Sequence, residues 1–229
     1  MKKIFLTVAF IFFSLFNFAQ AGYEIKVNLK NYKDNLAYLT YYQFDKTYIK
    51  DTCTNIQNGK IIFKGKEKLD TGIYAVVSSK KAILFNFFVD EQTQKLQFKS
   101  DASTDFAEDL VAINSAAEND FLNYIKYLGT QNLAAQEMDK NAILKTKEDT
   151  LKLIDLHRTI DKKTTDFEKD FIAKNKSSYI GSVVNLKVDK VLENVPLASN
   201  GRPDSIYAFN YYKKHYWDDV NFKDDAVMS

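Results

Sequence analysis

The fold of the first half of the chain is decided by the stretch Tyr23-Glu24-Ile25-Lys26-Val27-Asn28-Leu29, in which apolar and polar side chains alternate. A period of two places the apolar side chains on one face of a β-strand and the polar ones on the other. Six later segments have a similar strand-like composition, namely 36–44, 48–54, 61–63, 73–77, 82–89 and 95–98. Residues 82–89 are almost continuously apolar, which indicates a strand buried on both faces.

Turn signals separate these strands at short intervals. Asn58-Gly59 supplies two residues that tolerate a positive φ, as a tight hairpin turn requires. Gly65 and Gly72 mark the next breaks. Seven short strands at this spacing are typical of a sandwich or a barrel-like sheet, and we predict an antiparallel β-sandwich domain over residues 22–102. Since no strand–helix–strand repeat is present in the sequence, nucleotide-binding α/β folds are excluded.

The periodicity becomes helical after residue 103. Ser115-Ala116-Ala117-Glu118 has the pattern of a capping box at a helix start, and Gly129 predicts the end of that helix. A second helix is predicted over residues 133–144. A longer helix follows, with an apolar stripe at helical spacing that comprises Leu153, Leu156, Ile160, Phe167 and Phe171.

The last part of the chain predicts two more helices. Residues 175–178 end the long helix and begin a short one, and residues 200–204 have the composition of a loop. The final helix starts at this loop and is rich in aromatic residues. The fold class is therefore α+β, with the β-sandwich followed by a helical hairpin or bundle over residues 103–229, which we expect to be incomplete at its C-terminus.

The N-terminus has the composition of an export signal. Lys2 and Lys3 precede an apolar run over residues 4–18, and Ala19-Gln20-Ala21 has the small residues of a cleavage site. The run is shorter than the roughly 20 residues that span a bilayer, so a retained anchor is the weaker alternative. We expect a signal peptide over residues 1–21, cleavage after Ala21, and a periplasmic or secreted cell-envelope protein with no membrane anchor.

Charge and cysteine content restrict the function further. Removal of Lys2 and Lys3 would leave equal numbers of basic and acidic residues. A balanced charge argues against nucleic acid as a partner and against an anionic membrane surface. Cys53 is the single cysteine in the sequence; it cannot form an internal disulfide, and its position excludes a lipoprotein.

The sequence contains no recognisable catalytic, cofactor or metal site. The two histidines, His157 and His215, have no second ligand at helical spacing, whereas a zinc site needs three or four ligands. The acidic pairs Asp218-Asp219 and Asp224-Asp225 are adjacent in sequence, so their carboxylates point in different directions. Such pairs are typical of a solvated surface and not of an acid–base pair in a pocket. No nucleophile motif or phosphate-binding loop occurs. Fourteen Tyr and eighteen Phe residues leave open a glycan- or peptide-binding surface built from exposed rings.

Three segments carry a resemblance to a known family. Residues 115–121 followed by Tyr124, residues 171–184, and residues 211–220 followed by Asp224-Asp225 resemble the helical region of bacterial envelope thioredoxin-like disulfide oxidoreductases. In that family a β-domain and a helical spacer precede the thioredoxin-like domain. The resemblance implies that this chain corresponds to the N-terminal region of such proteins.

The sequence also departs from that family. The family's redox chemistry depends on a Cys-x-x-Cys motif, and this sequence has none. The resemblance therefore implies either a fragment of a longer gene product or a stand-alone accessory module. In both cases we expect a non-catalytic scaffold that positions a redox domain, the missing thioredoxin-like domain or another protein partner.

The last helix is the predicted contact surface. The candidate partner or ligand contacts are Tyr207, Tyr211, Tyr212, His215, Tyr216 and Trp217. If a domain is missing, Phe209, Tyr212, Tyr216, Trp217 and Phe222 should remain partly uncovered. A contiguous exposed row of rings would favour the alternative, a secreted glycan- or peptide-binding module, over the scaffold. Self-association into a homo-oligomer stays open.

Overall fold

The computed structural model describes residues 22–101, 105–188, 192, 195–199, 201, 204–218 and 220–228. The predicted signal peptide and its cleavage site lie outside these residues. The described chain forms two four-stranded sheets followed by four α-helices, so the predicted α+β class is confirmed. No helix within the described ranges combines the length and the apolar composition that crossing a bilayer requires.

All seven predicted strands are present, within two residues of their expected ends. The described strands are β1 (Glu24–Leu29), β2 (Ala37–Gln43), β3 (Lys46–Cys53), β4 (Lys60–Lys64), β5 (Gly72–Ser78), β6 (Ile83–Val89), β7 (Lys95–Ser100) and a short β8 (Val111–Ala112). One sheet has the order β4-β1-β7-β8 and the other the order β3-β2-β5-β6. The consecutive strands β2–β3, β5–β6 and β7–β8 are neighbours within one sheet, whereas the other connections between described strands cross from one sheet to the other.

The sheets pack face to face through aromatic rings. Phe85 and Phe87 of β6 each lie with their ring centroids 5.2 Å from that of Phe98 on β7, which belongs to the other sheet. The alternating pattern of β1 is confirmed, because Ile25, Val27 and Leu29 are buried. The interior of the sandwich is thus built from the apolar positions that the period of two predicts.

Two details of the sheets differ from the prediction. The first sheet contains a parallel pair, since β1 pairs antiparallel with β4 but parallel with β7. In addition, β6 is buried on both faces only over Phe87–Val89, since Ile83 at its start is exposed, whereas every residue of β5 is buried. The reason is position, because β5 lies inside its sheet and β6 forms an edge.

The turn at Asn58-Gly59 forms, but it does not join two strands of one hairpin. Both residues have a positive φ, of 52° and 71°, yet β4 leaves this turn to pair with β1. The Leu29 amide donates a hydrogen bond to the Gly59 carbonyl over 2.9 Å. A Cβ at Gly59 would lie 1.8 Å from the Leu29 carbonyl oxygen, so glycine is required here by both conformation and space.

The short strand β8 was not predicted. Its backbone pairing with β7 is continued by the side chain of Asn114. The Gln97 amide donates a hydrogen bond to Asn114 Oδ1, and Asn114 Nδ2 donates one to the Lys95 carbonyl, each over 2.9 Å. The Asn114 side chain thus takes the place of a backbone amide beside β7. A two-residue strand completed by a side chain has no periodic signal in the sequence.

The helices are α1 (Ala116–Asn141), α2 (Lys147–Lys174), α3 (Tyr179–Lys187), α4 (Ser205–His215) and a 3-10 turn at Asp225–Met228. The predicted stop at Gly129 is wrong, because α1 runs through it and includes residues 133–141 of the segment predicted as a separate helix. Gly129 has no positive φ, and one interior glycine costs a helix only about 1 kcal/mol. The helix starts predicted after Ser115 and at the ends of the segments 175–178 and 200–204 are confirmed.

α1 and α2 form an antiparallel helical hairpin. Tyr127 stacks on Phe167 at 3.9 Å between ring centroids, and Tyr124 lies 4.6 Å from Phe171. Towards the turn, His157 Nε2 lies 2.8 Å from the Asp139 carboxylate. A capping box begins α2, in which Thr146 and Asp149 satisfy each other's amides.

The chain divides into two compact units. One contains Ile49–Ala116 together with the described residues up to Thr40, and the other contains Tyr41–Tyr48 and the described part of Ala117–Ser229. In the second unit, α3 packs against α2 and against the 3-10 turn. The candidate surface considered below lies in this second unit.

Candidate functional site

The candidate surface is built on α4. Asp204 begins the helix, since its carboxylate accepts hydrogen bonds from the Ile206 amide over 2.9 Å and from the Tyr207 amide over 3.1 Å. Such a cap satisfies amides that a helix start otherwise leaves unpaired. The helix ends at His215, and the Tyr216 amide still donates to the Tyr212 carbonyl over 2.8 Å.

No residue of α4 is buried. Ala208, Tyr212 and His215 are half-buried and mark the covered side of the helix. The large apolar side chains that remain exposed on α4 and the turn after it are Ile206, Tyr207, Phe209, Tyr211, Tyr216, Trp217 and Phe222. We call this set, together with Tyr212 and His215, the α4 surface.

The rings of the α4 surface form two clusters. In the first, Tyr211 lies 4.5 Å from the His215 ring and 6.3 Å from Tyr212. In the second, Trp217 lies 4.7 Å from Tyr216 with the ring planes at 90°, and 5.5 Å from Phe222 at 52°. Tyr207 precedes Tyr211 by about one turn and shares its side of the helix. The rings thus support one another while staying open to solvent.

Polar contacts orient the rings of the α4 surface. His215 Nδ1 lies 2.6 Å from the Asp218 carboxylate, which is on the turn after the helix. The Tyr212 hydroxyl accepts a hydrogen bond from the Leu192 amide over 3.2 Å. These contacts hold Tyr212 and His215, the two residues of the surface that are half-buried. They leave the exposed rings of Tyr207, Tyr211 and Trp217 available for contact.

The structure brings the six predicted contact residues onto one helix and the following turn. It also places the exposed side chains of Ile206, Phe209 and Phe222 on the same surface, which the predicted set omits. The helical spacing of Ile206 and Phe209 relative to Tyr216 was the signal that could have included them. All five residues expected to be partly uncovered, Phe209, Tyr212, Tyr216, Trp217 and Phe222, are so.

The tyrosines of strand β2 expose less of their rings to solvent than those of the α4 surface do. Tyr38, Tyr41 and Tyr42 are half-buried, and burial raises the pKa of the Tyr42 hydroxyl. The Tyr41 ring stacks on Tyr48 at 5.5 Å between ring centroids. The Tyr41 ring is thus used for cross-strand packing, as is usual for tyrosine in strands.

The two histidines are paired with carboxylates on exposed parts of the helical unit. Each histidine has one carboxylate partner, Asp139 for His157 and Asp218 for His215. Across the part of the chain that the structure describes, no three His, Cys, Asp or Glu side chains come together as metal ligands would. Cys53 is buried and has a free thiol.

A second exposed apolar surface lies at the turn between α1 and α2. Ile143, Leu144 and Leu156 are exposed around an open cavity, the floor of which includes Met138 and Leu153. Lys152 at the rim pairs with Glu148 over 3.0 Å. This surface is aliphatic and small, in contrast to the α4 surface.

Residues 23–122 match the family model described as a domain of unknown function, DUF4369. The matched segment covers the described strands and the first part of α1, and it is less than half of the chain. It ends before α2, so the α4 surface lies outside it. Neither a curated protein nor a solved structure matches the chain.

Proposed function

We propose that this protein is a non-catalytic module of the bacterial cell envelope that binds a protein partner through the α4 surface. The observation that supports the proposal is the exposure of two clusters of aromatic rings on the turn after α4 and on α4 itself, a helix none of whose residues is buried. Tyrosine and tryptophan dominate the binding energy of protein interfaces. A single helix that presents such side chains suits insertion into a groove of a partner.

A protein partner fits the ring geometry better than a glycan does. Sugars stack on flat aromatic faces, and an extended glycan needs several such faces in one plane. The rings of Tyr216 and Trp217 are perpendicular, and Trp217 and Phe222 are inclined at 52°. Rings at these angles fill the irregular pockets of a protein surface instead. A glycan therefore remains an outcome of the test, not the proposal.

Export to the cell envelope and a role beside a thioredoxin-like domain are supported by the sequence. The N-terminal signal supports export to the periplasm or the cell surface. The resemblance of residues 171–184 and 211–220 supports a role beside a thioredoxin-like domain, which the module would position. Cys53 is buried and is the single cysteine, so a dithiol cycle has no second thiol within this chain. A thiol–disulfide exchange assay should detect no turnover.

Site-specific photo-crosslinking tests the docking surface. A photoreactive phenylalanine analogue replaces Tyr211, which is 39% exposed, or Tyr48, which is 41% exposed and serves as the matched control. The protein is irradiated in the cells that produce it. We expect a covalent adduct of defined mass from position 211 and none from position 48, because docking covers α4 selectively.

Three results would argue against the proposal. These are equal adducts from both positions, no adduct from position 211, or an adduct that glycosidases remove. Mass spectrometry of the adduct distinguishes a second copy of this chain from a different protein.

A further inference from the structure

The turn between α1 and α2 is apolar at its centre and positively charged on both sides of that centre. Residues 140–147 read Lys-Asn-Ala-Ile-Leu-Lys-Thr-Lys, with three lysines and no acidic residue. Ile143 is 70% exposed and Leu144 is 55% exposed. We call residues 140–147 the hairpin tip. The charge of the whole chain is nearly balanced, so the positive charge of the hairpin tip is a local feature.

The carboxylates that flank the hairpin tip are engaged along or between the helices. The Asp139 carboxylate lies 2.8 Å from His157 Nε2 on α2. Glu148 pairs with Lys152, one turn further along α2, over 3.0 Å. Asp149 accepts hydrogen bonds from two backbone amides of the turn, where it offsets the positive end of the α2 dipole. The three lysines therefore dominate the charge that the hairpin tip presents to solvent.

The apolar surface continues from the hairpin tip into the hairpin. Behind Ile143 and Leu144 lies an open cavity of about 280 Å³, which is also lined by Met138 and Leu153. Leu151, in the second turn of α2, adds a further aliphatic side chain that is 56% exposed. None of these five side chains is buried by the protein itself. An apolar phase at this end of the hairpin would therefore cover several of them at once.

The composition of this region differs from that of a protein interface. Binding energy at protein interfaces is concentrated in Trp, Tyr and Arg, whereas Leu is under-represented among the dominant residues and Lys is depleted. Residues 128–157 contain no Phe, Tyr, Trp or Arg. Aliphatic side chains beside lysines suit a membrane interface, because the apolar groups enter the acyl boundary while the ammonium groups stay among the headgroups.

We propose that the hairpin tip binds the surface of an anionic phospholipid bilayer. Ile143 and Leu144 enter the interfacial region, and the ammonium groups of the three lysines contact lipid phosphates. Interfacial elements enter a bilayer by about 5–10 Å, which corresponds to roughly one or two turns of helix. The contact is therefore peripheral and involves only the end of the hairpin. It uses a surface other than α4 and is independent of the proposed protein partner.

Flotation of the exported chain with lipid vesicles tests the contact. The signal peptide is removed first, because the apolar run of residues 4–18 would itself bind lipid. Vesicles of phosphatidylcholine are compared with vesicles in which about one third of the lipid is anionic phosphatidylglycerol. We expect reversible binding to the anionic vesicles with an association constant of about 10⁴ M⁻¹, the strength that one acyl chain provides. Binding to the neutral vesicles should be at least about tenfold weaker.

The apolar contribution is tested with exposed residues, whose replacement leaves the protein interior intact. Ile143→Ser combined with Leu144→Ser should weaken binding to the anionic vesicles by about tenfold or more. Leu133→Ser is the matched control, because Leu133 is 61% exposed on the same hairpin. It lies eight residues before the end of α1, about 12 Å along the helix, and should leave binding near that of the wild type.

The charge contribution is tested in the same assay. Lys145→Gln combined with Lys147→Gln should weaken binding to the anionic vesicles by about tenfold or more, since each lysine near such a surface contributes about fivefold. The matched control is Lys213→Gln combined with Lys214→Gln, which removes the same charge from exposed positions at the end of α4. It should leave binding near that of the wild type.

Four results would overturn the proposal. These are no binding to anionic vesicles, equal binding to both vesicle types, unchanged binding of both hairpin-tip variants, and an equal loss in the α4 control, which would locate the lipid contact on α4. A photoreactive residue at position 144 that crosslinks to a protein in cells, from a chain that binds no vesicles, would identify a protein as the occupant. Crosslinking at position 211 tests the α4 proposal separately, because vesicles contain no protein partner.

Discussion

The β-sandwich and the α1–α2 hairpin use aromatic residues in opposite ways. In the sandwich Phe63, Phe87, Phe88 and Phe98 are among the most completely buried side chains of the protein. In the hairpin no residue from 125 to 170 is buried, although the two helices contain 26 and 28 residues. The sandwich therefore has an interior, whereas most of the hairpin is surface.

The sandwich and the hairpin should therefore differ in their stability and in their capacity to bind other molecules. Burial of apolar area is the main source of folding free energy, so the sandwich should open only on global unfolding. The hairpin is held by a ring stack and by exposed ion pairs, which contribute little individually. Elements with few buried contacts open at a lower free energy and are used for binding.

Removal of a ring from the sandwich core should have the largest effect on stability. Phe98 is 1% exposed and contacts Phe85 and Phe87 of the opposite sheet. Phe98→Ala should reduce the free energy of unfolding by about 3–5 kcal/mol, as measured by urea denaturation. The exposed Phe44→Ala should change it by less than about 0.5 kcal/mol. Similar losses in both variants would contradict the contrast between interior and surface.

Removal of a ring from the α1–α2 hairpin should have a smaller effect on stability, and one that is confined to the two helices. Phe167 stacks on Tyr127 and lies parallel to Tyr124 at 6.1 Å. Phe167→Ala removes two aromatic pairs worth about 0.5–1.5 kcal/mol each. We expect faster amide hydrogen exchange in α1 and α2 and unchanged exchange in β1 and β5.

The control for the hairpin variant is Leu156→Ala, which truncates a side chain that is already exposed. It should leave the exchange rates of both helices near those of the wild type. Uniformly faster exchange in the strands of the Phe167→Ala variant would mean that the hairpin is part of the sandwich's cooperative unit.

Alkaline pH should lower the free energy of unfolding of both units, by less than the Phe98→Ala and Phe167→Ala substitutions do. Burial, with the nearby Asp34 charge, raises the pKa of Tyr32 in the sandwich to about 12. Burial, followed by the Glu168 charge and hydrogen bond, raises the pKa of Tyr124 in α1. A tyrosine in an unfolded chain ionises near pH 10. The stability that depends on these neutral hydroxyls is therefore complete below about pH 10 and is lost as the pH rises through the raised values.

The Tyr124→Phe variant isolates the contribution of the helical unit. Its stability, followed by the emission of Trp217 in urea, should decline less steeply than that of the wild type between about pH 10 and 12. Tyr207→Phe is the control, because the Tyr207 ring is exposed. A decline of the same slope in the wild type and the Tyr124→Phe variant would show that this hydroxyl does not carry the effect.

The sequence by itself determined the local elements. The period of two located seven strands, and the capping-box pattern at Ser115 and the polar segments 175–178 and 200–204 located helix starts. Both signals act over a few residues, since strand alternation and helix capping are satisfied by neighbours in the chain. The aromatic residues of α4 could also be selected in advance, because they are concentrated in one short segment.

Only the tertiary structure decided which elements meet and what remains uncovered. It set the parallel pairing of β1 with β7, buried β5 along its whole length but left the start of β6 exposed, and extended α1 through Gly129. It also left the rings of α4 in solvent. Strand order and burial depend on contacts between residues far apart in the chain, and an apolar pattern is the same whether its partner is a neighbouring strand, another helix or a separate molecule.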